Sequence, residues 1–98
     1  MAIAAEPRID RATPVPHHQV QVRGFWGRWQ EVVRSVTLPS QHRTMLGTGH
    51  IDAFRLEWKP GQPNEPHIFW DSDVAKWVEA AAHALSGDRA SPLAGLLD

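Results

Sequence analysis

Asp71-Ser72-Asp73 is the acidic group whose spacing most invites a chemical reading. Paired carboxylates serve as acid and base in glycosidases, or as a metal clamp on nucleotide-sugars. Glycosidases hold theirs roughly 5–9.5 Å apart, across the scissile bond. Two positions apart at a helix start, the side chains diverge by about 200° at 3.6 residues per turn. Capping accounts for both: Asp71 suits an N-cap and Asp73 the positive end of the helix dipole.

Six histidines (His17, His18, His42, His50, His67 and His83) raise the question of a metal. None falls in a His-Glu-x-x-His pattern and no pair shows ligand spacing, so all six read as surface or loop residues and no metal site is assigned. Gly47-Thr48-Gly49 lacks the rest of a phosphate-binding loop and reads as a turn. Phe69, Trp70 and Trp58 border a proline-rich loop. Such faces stack on sugar rings in some proteins and pack between helices in more. No residue is assigned a catalytic role.

Composition narrows the classes. The chain has 98 residues, room for one small domain, with 42% hydrophobic and 21% charged residues, which is ordinary globular usage. Ten basic and eleven acidic side chains are mixed along it, so no basic stripe exists for nucleic acid and no polybasic patch for a membrane. There is no cysteine, which excludes thiolate chemistry and cysteine-ligated zinc within these residues. Five tryptophans with no tyrosine ask for a neighbouring surface or a ligand groove. The N-terminus has no signal-peptide pattern, and a soluble cytoplasmic protein is expected.

The elements that must position these residues are mainly helical. Residues 1–17 read as an extended leader with Pro7, Pro14 and Pro16. His18–Arg23 alternates as a short strand would, and Phe25-Trp26-Gly27 reads as an aromatic turn. Trp29, Val32, Val33 and Val36 have helical spacing, and Pro39 is expected to end or restart that helix. Ile51–Trp58 is ambiguous, and 59–66 is an exposed loop. The clearest helix spans about Ser72–Leu85, with Val74, Trp77, Val78, Ala81, Ala82 and Leu85 as its apolar stripe. Gly87 suits its stop. Ser91 and Pro92 suit the start of a last helix, whose Leu93, Leu96 and Leu97 form an apolar edge with nothing following to complete it.

Three stretches taken together, in order and approximate spacing, resemble glycoside hydrolase family 127, which includes the β-L-arabinofuranosidases. They are Gly24-Phe25-Trp26-Gly27, then Gly49-His50-Ile51-Asp52-Ala53-Phe54-Arg55, then Phe69-Trp70-Asp71-Ser72-Asp73-Val74-Ala75-Lys76-Trp77-Val78-Glu79-Ala80-Ala81-Ala82. The Asp-Ser-Asp-Val-x-Lys-Trp piece is the most specific, and Ala75 stands where the family usually has tyrosine. The resemblance covers about residues 18–98, as the N-terminal part of a much longer chain.

It implies the first helices of an (α/α)6 barrel, a retaining hydrolase with a zinc-bound cysteine nucleophile and a glutamate acid/base, all supplied downstream. On that reading these 98 residues are inactive alone and hold no cofactor. Their partner is the remainder of the catalytic domain, and Phe69, Trp70 and Asp71 border the sugar-binding end. The alternative is a non-catalytic carbohydrate-binding or protein-interaction module; a metal-dependent sugar transferase using Asp71 and Asp73 is the third.

Overall fold

The computed structural model describes residues 12–98, and the first eleven positions of the expected leader lie outside it. The described residues are mainly helical and contain no strand. Four α-helices run α1 Gly24–Val32, α2 Leu38–Gly47, α3 Trp70–Gly87 and α4 Leu93–Leu97, with 3-10 turns at His17–Gln19 and Asp52–Arg55.

The expected strand at His18–Arg23 is not formed. Val20 and Arg23 do have extended backbone, but among the described residues no second strand lies alongside to complete a ladder. The segment instead folds back on α1, and the Val22 carbonyl would lie 2.5 Å from any Cβ placed on Gly27. The expected aromatic turn is also revised. Gly24, at φ 68°, redirects the chain, and Phe25-Trp26-Gly27 forms the first turn of α1. Phe25 and Trp29, four residues apart, then meet edge-on at 6.1 Å.

Pro39 restarts the helix without ending the rod. Between α1 and α2, Val33–Thr37 winds as a π-helix, and the Leu38 N–H bonds the Val33 carbonyl five residues back. A proline inside a regular helix clashes with the carbonyl four residues before it and donates no bond. One wider turn just ahead of Pro39 makes room for its ring, so a single helical path continues from Gly24 to Gly47.

α3 extends the expected helix by two residues at each end. Its stripe is only partly covered: Trp77 and Ala81 are buried, Val74 and Leu85 half-buried, and Val78 and Ala82 exposed. The core joins Leu38 and Met45 of α2, Trp77 and Ala81 of α3, and Leu93 of α4. Trp77 fixes this junction, donating its indole N–H to the Leu38 carbonyl at 2.9 Å while its ring rests against His42.

The apolar edge of α4 is covered, contrary to expectation. Leu93 is 1% exposed, and Leu96 and Leu97 pack on the same cluster. Pro92, not Ser91, holds the N-cap of α4; Ser91 lies one position earlier, its hydroxyl accepting from the Leu93 N–H at 3.3 Å. The uncovered face belongs to α1 and the π turn. Phe25, Trp26, Trp29, Val32, Val33 and Val36 are all exposed, Trp26 at 68%.

Candidate functional site

Three segments converge where the chain leaves α2 and enters α3. After Gly47 the backbone turns through Thr48-Gly49-His50 into the 3-10 turn, and the proline loop then returns to the same place. Gly49, at φ 81°, meets Asn64 of that loop so closely that a Cβ on Gly49 would lie 2.9 Å from the Asn64 Cβ and carbonyl oxygen. This approach brings His67, at the loop's end, beside His50. Their rings stack with centroids 5.9 Å apart and planes 12° apart. Asp73, in the first turn of α3, completes the group, with its Oδ2 3.4 Å from His50 Nε2.

Hydrogen bonds fix the orientation of His50. The Thr48 hydroxyl has one proton and donates it to the Thr44 carbonyl at 2.8 Å. The same oxygen lies 2.7 Å from His50 Nδ1, a contact whose direction follows the ring tautomer. Together these contacts hold the ring with Nε2 facing the Asp73 carboxylate. Lys76 reaches the other Asp73 oxygen at 3.9 Å, but its side chain is 75% exposed and weakly held.

Phe69, Trp70 and Asp71 do lie together at the loop-to-helix junction. Phe69 is exposed beside His67, whose Nδ1 accepts from the Phe69 N–H at 3.2 Å. Trp70 is half-buried, with Phe54 edge-on at 4.7 Å, which is packing between local aromatics. Asp71 is not the N-cap. Residue 70 is already helical, so its carboxylate reaches only the Ser72 N–H at 2.8 Å, and Phe69 holds the cap position without a side-chain bond. Asp73 caps nothing either; its carboxylate faces His50 and Lys76.

Histidine spacing gave no sign of this cluster, because His50 and His67 are seventeen positions apart and the loop's return joins them. The ligand-capable atoms of His50, His67 and Asp73 all lie within 4.8 Å of one another. The family zinc implied by the resemblance needs cysteine, which this sequence lacks, so the residues present do not fit that group. Among the described helices none is long and apolar enough to cross a membrane. Compared with known proteins, the chain matches no family model, no curated protein and no solved structure.

Proposed function

We propose that this chain is the opening helical segment of a cytoplasmic glycoside hydrolase similar to the β-L-arabinofuranosidases, catalytically inert alone. The observation that carries the reading is the uncovered face of α1 and the π turn. Six large apolar side chains there face solvent while the core rests on a handful of residues. Contiguous exposed apolar surface of this kind marks a face built to be covered. In the proposed barrel, neighbouring helices of the catalytic domain cover it.

Phe69, Trp70 and Asp71 then border the sugar. Exposed Phe69 offers a ring face to a furanose, Asp71 offers its free carboxylate oxygen to hydroxyl groups, and Trp70 sets the rim against Phe54. The glutamate and cysteine chemistry belongs to the remainder of the domain.

The test is a chimaera in which residues 18–98 replace the corresponding opening segment of an active family 127 enzyme. Soluble enzyme that hydrolyses an aryl β-L-arabinofuranoside supports the proposal, with KM rising when Phe69 and Trp70 are both changed to Ala. An insoluble or inactive chimaera overturns it, as does hydrolysis by the 98-residue chain unaided. The interaction-module alternative has its own signature, a sharp cooperative melt of the isolated chain with saturable arabinose binding.

A further inference from the structure

We propose that His50, His67 and Asp73 bind one divalent transition-metal ion of the zinc type, with two imidazoles and one carboxylate as ligands. This inference does not depend on the family reading.

The spacing is the first argument. Two ligands about 2.0–2.1 Å from a tetrahedral zinc lie roughly 3.3 Å apart. His50 Nε2 and Asp73 Oδ2 stand 3.4 Å apart. The third ligand is within reach, since all three ligand atoms lie within 4.8 Å of one another. His67 is exposed and sits at the end of a loop, so a small ring movement closes the remaining gap.

The second argument is the orientation of His50. The Thr48 hydroxyl donates to the Thr44 carbonyl and lies 2.7 Å from His50 Nδ1, which holds the ring with Nε2 toward Asp73. Metal-bound histidines are oriented in this way, with the non-ligating N–H given to an oxygen acceptor. Here the Thr48 oxygen is in place beside Nδ1, and Nε2 already faces a carboxylate. His50 is also the more protected ligand, with its side chain 17% exposed.

His67 must pay one hydrogen bond. Its Nδ1 accepts from the Phe69 N–H, so coordination through Nδ1 displaces that bond, and coordination through Nε2 moves the ring proton to Nδ1 and breaks it too. Two imidazoles and a carboxylate suit zinc and its neighbours better than magnesium or calcium, which prefer oxygen ligands. Three protein ligands leave a fourth position for water or another oxygen donor. Such an ion ties the end of α2, the proline loop and the start of α3 at one point.

Cobalt(II) titration of the whole chain, followed by visible absorption, reads the site directly; zinc chloride calorimetry gives the stoichiometry. One ion per chain is expected, with zinc displacing cobalt. His50→Ala, His67→Ala and Asp73→Asn each weaken binding at least tenfold, and Thr48→Val weakens it by about tenfold through the orientation of His50. The double variant His17→Ala/His83→Ala removes a second close histidine pair and leaves binding unchanged. If His50→Ala loses its far-UV signal, the isosteric Asp73→Asn decides. No saturable binding, binding that survives in concentrated urea, or an equal loss in the His17/His83 control overturns the proposal.

Discussion

Replacing Trp77 with Phe tests whether one indole joins α2 to α3. Trp77 is 6% exposed, and its N–H is bonded to the Leu38 carbonyl at 2.9 Å. Phe keeps an aromatic ring there but donates nothing; the Leu38 carbonyl keeps its place in the α2 ladder, so one buried hydrogen bond is lost at about 0.5–1.5 kcal/mol. The smaller ring also leaves roughly 40 Å³ unfilled, worth about 1 kcal/mol at 24 cal/mol per Å³. The sum is about 1.5–2.5 kcal/mol, a large fraction of what a domain of this size has to spare. Urea unfolding followed by far-UV circular dichroism measures it and limits aggregation. With a slope near 1 kcal/mol/M, the midpoint falls by about 1.5–2.5 M, or the transition vanishes. Trp70→Phe is the control: that ring is half-buried against Phe54, and among the described residues its indole N–H has no hydrogen bond. Its midpoint moves by less than about 1 M. Equal shifts in the two variants, or a Trp77→Phe shift under about 0.5 M, would refute the reasoning.

The exposed face of α1 predicts that Trp26→Lys combined with Trp29→Lys sharply lowers binding of a hydrophobic dye. Helicity stays unchanged and stability stays within about 1 kcal/mol, since both side chains are more than half exposed; loss of helicity would show that they hold the fold. Gly49→Ala should destabilise by more than about 2 kcal/mol, because its positive φ adds backbone strain to the clash with Asn64. Gly61→Ala shares the positive φ but meets open space, and costs only about 1–2 kcal/mol. Equal unfolding midpoints for these two glycine variants would show that the Gly49–Asn64 approach contributes nothing.

Much of the helical architecture was legible along the chain. The 3.6-residue recurrence from Val74 to Leu85 placed α3 to within two residues at each end, because a long amphipathic stripe is a local property. The proline-rich stretch 59–66 was equally plain as a loop. Alternation at His18–Arg23 misled, since a strand exists only with a partner and nothing local reveals whether one is supplied. Residues 25–27 misled for a related reason: Gly24 supplied the turn, which freed the aromatics to begin a helix. Pro39 left two outcomes open, and the π turn at 33–37 selected the continuous one.

The candidate site belonged almost wholly to the third dimension. Phe69, Trp70 and Asp71 are neighbours in sequence, so their lying together at the helix start follows from position alone. His50, His67 and Asp73 come together because Gly49 lets the proline loop approach, and no spacing rule encodes that return. Capping logic assigned Asp73 to the helix dipole, and the dipole does favour a carboxylate in that first turn. Tertiary packing then added a second use by setting the His50 Nε2 3.4 Å away. Residue order therefore determined which segments become helices and which faces are apolar, since both follow from short-range periodicity. Which apolar faces are covered, and which polar atoms meet, was decided only when the loop closed on Gly49 and Trp77 docked on Leu38.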